Sequence, residues 1–375
     1  MSKLAMRRAW FQVHKWIGLI LAILIIPISL TGSALVWHDA LDRTVNPARF
    51  ATSGTTVLEP SAYVAAAKLA PGERIASLRV GEESGDPVVV SAAAVGKGDR
   101  PGPPMRTNYY FDPPTAKLLD SAGSNSGLVR VLHGLHGSLL VPGIGRQIVG
   151  WIGVAMMLSC FTGLWLWWPT VGKWVRGLRW RRHPNLDTNL HHQMGFWIAV
   201  PLFVLSLTGV WISFPQFFGA LSGANAQRGP AGPDRRALMR ARPLETTVTS
   251  LGEVVAAARA ETPGSVRQVT WPTDLKAEWA ITLKPAEGPP QNFTVNDETG
   301  AIEGSAASQR PGGIARTMRQ VHDGTDMGFV WQFIIFLGGI LPAILAVTGI
   351  IMWWRARGWK ADIKAKRQAR AVPTE

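Results

Sequence analysis

Four stretches of the chain lack every charged side chain: 16–37, 148–168, 194–218 and 327–354. Each is longer than the roughly 20 residues a helix needs to cross a ~30 Å hydrocarbon layer. Backbone groups in lipid must bond to one another, so each stretch is expected to be a membrane-spanning helix. Pro27, Pro201 and Pro342 fall inside three of them, a placement that membrane helices accommodate against their neighbours. Between the first and second stretches, and again between the third and fourth, the pattern changes. The first long connection has a helix-like run at 60–69, with alanine and leucine spaced for one buried face, followed by strand-like runs at 75–80, 88–92 and 108–111. The second repeats that order, helix-like at 251–260 and strand-like at 266–271, 278–283 and 292–295. Each connection therefore predicts a small domain of one helix and antiparallel hairpins. Glycine and proline crowd 96–104 and 222–233, which read as loops.

The recurrence extends to single residues. His14 is followed four residues on by Gly18 and seventeen on by Thr31-Gly32; His191 is followed at the same offsets by Gly195 and Thr208-Gly209. His136 precedes Thr162-Gly163 by 26 residues, and His322 precedes Thr348-Gly349 by the same 26. The last strands of the two connections are entered through Asp112-Pro113-Pro114-Thr115 and Asn296-Asp297-Glu298-Thr299, both turn-forming. The chain reads as a tandem repeat of one unit: helix, outside domain, helix.

Charge sets the orientation. Basic residues gather at the N-terminus (Lys3, Arg7, Arg8), in the short middle connection (Lys173, Arg176, Arg179, Arg181, Arg182) and in the tail from Arg355 to Arg370. The positive-inside rule places all three in the cytoplasm. The net charge of +14 is then accounted for by topology and anionic lipid, and implies no nucleic-acid partner. The first apolar run is too long for a cleaved signal peptide and is expected to be an uncleaved anchor. The organisation is a four-helix transmembrane bundle: helix 1 with a cytoplasmic N-terminus at 1–38, a periplasmic domain at 39–135, helix 2 and its lead-in at 136–168, a cytoplasmic loop at 169–193, helix 3 at 194–218, a second periplasmic domain at 219–321, helix 4 and its lead-in at 322–354, and a basic cytoplasmic tail at 355–375. Many of the 17 tryptophans, among them Trp37, Trp151, Trp165, Trp167, Trp168, Trp353, Trp354 and Trp359, fit aromatic belts at the two interfaces.

The candidate chemistry lies in the histidines. Cys160 is the single cysteine, so neither an internal disulfide nor a covalent haem attachment is available. With helices 1 and 3 running outward and 2 and 4 inward, His14 and His191 fall at the cytoplasmic end, and His136 and His322 at the outer end. Two histidines at one level on facing helices can hold a haem iron from both sides, whereas one alone near an interface more often makes a hydrogen bond. His38, His133 and His192 are reserve candidates, and His183, in the basic loop, is expected to be solvated or near lipid headgroups. The Thr-Gly pairs are expected to let helices approach closely.

The paired modules with a D/N-x-x-T turn, flanked by helices bearing His-x-x-x-Gly and Thr-Gly, resemble the PepSY-associated transmembrane helix family over nearly the whole chain. Within it the sequence is most similar to siderophore reductases of the ferrioxamine type (FoxB-like). The resemblance implies an inner-membrane protein with two PepSY-like α+β periplasmic domains and two non-covalent b-type haems, one on His14 and His191 and one on His136 and His322. It implies electron transfer to a ferric siderophore of hydroxamate type, releasing Fe(II). No dinucleotide fingerprint opens a helix after a strand, so the electron donor is expected to be another protein, a quinol or a small reductant. Two other classes stay open at this point: a membrane-anchored binding or inhibitory module, and a siderophore transporter.

Overall fold

In the computed structural model, which describes residues 2–94, 105–168, 173–221, 237, 240–305 and 313–370, three of the apolar stretches lie in one long helix each, while the third in chain order, expected as a single helix over 194–218, breaks at Phe214 into a long helix and a short one. The elements in chain order are α1 (Lys3–Leu35), α2 (His38–Val45), α3 (Pro60–Ala66), β1 (Glu73–Arg79), β2 (Val88–Ala94), β3 (Arg106–Phe111), β4 (Leu118–Gly123), α4 (Leu128–Ser138), α5 (Gly145–Trp167), α6 (Leu186–Ser213), α7 (Pro215–Leu221), α8 (Leu251–Glu261), β5 (Ser265–Thr270), β6 (Glu278–Lys284), β7 (Gln291–Asn296), β8 (Ile302–Ser305), α9 (Gly313–Asp323) and α10 (Gly328–Arg370). They form two compact units, one of helices and one built around a sheet. The glycine- and proline-rich stretches 96–104 and 222–233 lie outside the described residues.

In the helical unit, α1, α5, α6 and α10 are long and apolar enough to cross a membrane. α1 packs on α5, α5 on α6, α6 on α10 and α10 on α1, which closes a four-helix ring. Large apolar side chains such as Ile23 and Trp197 point outward, 78% and 68% exposed, as lipid requires and water would penalise. Helices α1 and α6 begin well before their apolar runs. The Ser2 hydroxyl accepts from the Ala5 N–H at 3.2 Å and caps α1, so His14 sits inside regular helix. The outer histidines depart from expectation. His136 and His322 lie not on lead-in turns of the spanning helices but on the separate short helices α4 and α9. After α4 the chain reverses through Leu139 and Leu140, both with positive φ (52° and 58°); the Leu140 N–H bonds the Gly134 carbonyl at 3.1 Å, and the Leu140 side chain folds over Gly134, which has no Cβ to obstruct it.

The sheet unit departs further. The sequence places a domain in each long connection, but the two sets of strands join edge to edge in one antiparallel sheet, ordered β4-β3-β2-β1-β5-β6-β7-β8. The junction pairs Ser77 with Thr270, Leu78 with Val269 and Arg79 with Gln268. Leu78, Val90, Val254, Val269, Trp279, Ile281 and Val295 share one buried core. Helices α3 and α8 lie on the sheet and touch each other. Joining removes two exposed strand edges.

Each half is fastened at its last turn. The Asp112 carboxylate accepts from the Ser53 N–H (2.7 Å), the Ser53 hydroxyl (2.6 Å) and the Thr115 hydroxyl (2.5 Å). Asp297 accepts from the Trp279 indole N–H at 2.8 Å. Burial opposes ionisation of Asp112, but the hydrogen bonds from Ser53 and Thr115 hold its carboxyl below the ordinary value. A carboxyl whose folded pKa lies below its unfolded one stabilises the fold above the unfolded pKa and ceases to do so as pH falls through the folded one. Asp112→Asn is therefore expected to melt at lower temperature than wild type at neutral pH, with the gap closing as the pH drops below about 4. Thermal melts of the full chain across pH check this; a gap independent of pH would contradict it.

Candidate functional site: four seated histidines

Each of the four repeat-matched histidines rests against the glycine of another helix's Thr-Gly pair. The His14 Nδ1 lies 3.0 Å from Thr162 Oγ1, and the ring faces Gly163, where an added Cβ would come within 3.0 Å of it. His191 stands in the same way on α10, its Nδ1 3.0 Å from Thr348 Oγ1 and its ring against Gly349. The exchange runs both ways. His322 uses α6, with Nδ1 3.0 Å from both Thr208 Oγ1 and the Leu205 carbonyl and its ring against Gly209. His136 uses α1, its Nδ1 2.8 Å from the Ile28 carbonyl, with Gly32 leaving room for the ring. The Thr-Gly pairs, expected from sequence to serve helix–helix approach, are histidine seats.

These contacts fix the tautomer. A carbonyl oxygen only accepts, so the Nδ1 atoms of His136 and His322 carry the proton. The hydroxyls of Thr162 and Thr348 already donate to Leu158 O and Ile344 O, each at 2.8 Å, so they too accept from the histidine. In a neutral imidazole this leaves Nε2 with a free lone pair on all four rings. A donated Nδ1–H with Nε2 left for a metal is the usual disposition of a ligating histidine.

The rings then face one another in pairs. His14 and His191 have centroids 6.3 Å apart at 85°, and His136 and His322 6.0 Å apart at 40°. A metal–imidazole bond of about 2.0 Å, with ring nitrogens about 1.2 Å from the ring centre, puts two imidazoles on opposite sides of one ion about 6.4 Å apart. The centroid spacing of both pairs is close to that value, and all four rings are half-buried. Along α1, His14 and the Gly32 seat of His136 are about 27 Å apart, from a rise of about 1.5 Å per residue. The two pairs thus define two levels of the bundle.

The other histidines sort differently. His38 and His133 also pair, at 6.0 Å and 80°, but both rings are exposed. Their Nδ1 atoms bond carbonyls of nearby residues, Leu35 at 3.2 Å and Val129 at 3.0 Å. His192 lies beside His183, centroids 4.6 Å apart at 32°, too close for an ion between their edges. His183 is not the solvated loop residue the sequence suggests, because its Nε2 is buried with no hydrogen-bond partner. Asn189 brings this about by clamping the His183 backbone, accepting from its N–H at 2.8 Å and donating to its carbonyl at 2.7 Å. Trp167, assigned to an aromatic belt by sequence, is 3% exposed and stacks on Phe196 at 4.0 Å.

Residues 11–356 match the family model described as the PepSY-associated TM region. No curated protein matches the chain.

Proposed function

The chain belongs to the PepSY-associated TM region family and is a multi-pass membrane protein, and from that premise we propose that it is a di-haem oxidoreductase that reduces ferric siderophores at the outer face of the bacterial inner membrane. The observation that carries the reading is the two facing histidine pairs, each ring seated through Nδ1 and open at Nε2. His14 and His191 would hold one b-type haem and His136 and His322 the other, both non-covalently. Such a group supplies one-electron transfer at a potential tuned by its axial ligands and surroundings.

The protein's part is to hold and insulate. Thr162, Thr348, Thr208 and the carbonyls of Ile28 and Leu205 orient the rings and raise the basicity of Nε2. The apolar exteriors of α1, α5, α6 and α10 keep both levels in lipid, away from bulk water. The substrate needs no protein nucleophile: one electron turns hard Fe(III) into Fe(II), which hydroxamate oxygens hold less tightly. The basic residues at both termini and in the middle connection favour cytoplasmic placement, with the sheet unit on the periplasmic side. The reciprocal seating and the strand order, which mirrors itself about the β1·β5 junction, favour two copies of one ancestral unit. The electron donor is a reductase, a quinol or a small reductant.

The test uses purified, haem-supplied protein reduced chemically and mixed with a ferric hydroxamate siderophore in the presence of a ferrous trap. Reoxidation of the absorption spectrum and appearance of trapped Fe(II) are expected. The gallium chelate, similar in shape and charge but unable to accept the electron, is expected to leave the protein reduced. A folded protein that takes up no haem would return the lead to an anchored binding module. A di-haem protein that only other acceptors reoxidise would remove the siderophore and keep electron transfer.

A further inference from the structure

Among the described residues, two buried nitrogens have no hydrogen-bond partner: Trp167 Nε1 and His183 Nε2, both in the helical unit. An indole N–H can only donate, so a buried one calls for an acceptor. Both lie close to the His14–His191 level. Trp167 is four residues, one helical turn, beyond Gly163, the seat of His14. His183 packs on His192, the neighbour of His191.

The surroundings are rigid. The segment Trp174–Leu178 covers the indole, with Gly177 against its ring. Gln193, 6% exposed, ties that segment down by donating to the carbonyls of Gly177 at 2.9 Å and Arg179 at 3.1 Å. They are also cationic. Arg182 donates to the Trp167 carbonyl at 2.9 Å, and Arg7 to those of Leu166 and Trp168 at 2.5 and 3.1 Å. The first-turn carboxylate of α6, Asp187, is taken by Arg355. Among the described residues no carboxylate pairs with Arg7 or Arg182. Donors and positive charge therefore gather near the His14–His191 pair and find no carboxylate partner among the described residues.

We propose that Trp167 Nε1, His183 Nε2 and the Arg182 guanidinium receive the carboxylates of the porphyrin held by His14 and His191. This rests on the haem reading above and adds to it a recognition site for the propionates, and hence an orientation: the propionate edge of that group turns toward the Trp174–Leu178 segment. Hydrogen bonds from charged or buried donors to a carboxylate are among the strong ones, so these residues select the free acid over its neutral ester.

The experiment uses full-length His136→Ala protein, so that only the inner level is read. It is stripped of haem and titrated with iron protoporphyrin IX or with its dimethyl ester. The ester is expected to bind at least about tenfold more weakly than the acid. In the further variants Trp167→Phe and His183→Ala the acid-to-ester ratio is expected to fall several-fold toward unity. The ratio is taken within one variant, so a general loss of stability cancels. With iron protoporphyrin IX bound, the same variants are also expected to lower the midpoint potential, because a less neutralised carboxylate favours ferric iron. An acid-to-ester ratio of unity in the parent, or a ratio unchanged by both substitutions, overturns the proposal while leaving the haem reading intact. Failure of both porphyrins to bind overturns both readings. A quinone analogue that perturbs the inner spectrum in the parent but not in Trp167→Phe would assign the donors to a quinone and overturn the proposal as well.

Discussion

His322→Ala is expected to leave a folded chain that binds one haem in place of the two proposed for the wild type, with about half the Soret absorbance. His136→Ala is expected to do the same, and the survivor in both is the inner haem. His14→Ala and His191→Ala are expected to remove the inner haem and spare the outer. The levels should behave independently because each uses its own pair of rings, separated by about 27 Å along α1. Haem extracted into acid-acetone and counted against protein gives the readout. The exposed His38–His133 pair is the internal control. Substituting either is expected to leave the count at two. Loss of the outer haem in His133→Ala with retention in His136→Ala would transfer the outer site to that pair.

The second large effect is steric. Gly32→Ala, Gly163→Ala and Gly209→Ala would place a Cβ 2.7, 3.0 and 3.0 Å from Cε1 of His136, His14 and His322. Real Cβ atoms essentially never pack as close as 2.7 Å and seldom as close as 3.0 Å, and the imidazole, at the end of a flexible side chain, is what gives way. The outcome should be a displaced ligand in an intact helix, because alanine in place of glycine otherwise favours a helix by up to about 1 kcal/mol. Haem affinity is expected to fall most in Gly32→Ala, and at the outer level. Gly349→Ala, whose Cβ would stand 3.5 Å from His191, is expected to be mild. Gly195→Ala, with Leu345 at 3.8 Å, and Gly18→Ala, with open space, are expected to be silent. Thr162→Val tests the other half of the seat: it keeps the shape and removes the acceptor for His14 Nδ1, a type of loss that costs about 10–100-fold in metal affinity. If the glycine variants lower thermal stability in parallel with haem content, the pairs serve helix packing, as the sequence alone suggests.

The sequence by itself determined the elements and the residues in play. Long uncharged runs specify spanning helices because lipid leaves the backbone no other partner. The pattern specified six of the eight strands; the last strand of each half, β4 at Leu118–Gly123 and β8 at Ile302–Ser305, gave no such signal. Matched offsets singled out His14, His191, His136 and His322 and the four Thr-Gly pairs. What belongs to what was settled only in three dimensions. Thr162 lies 148 residues from His14, and Thr348 lies 157 from His191, so no local period links a ring to its seat. The join of β1 to β5 is likewise non-local, and turns two expected domains into one sheet. Trp167 and His183 read as interface and solvated residues because composition describes a segment, whereas burial depends on which other segment folds over it. Period and hydrophobicity act within a helix or a strand; a glycine notch acquires its histidine only when packing makes two distant helices neighbours.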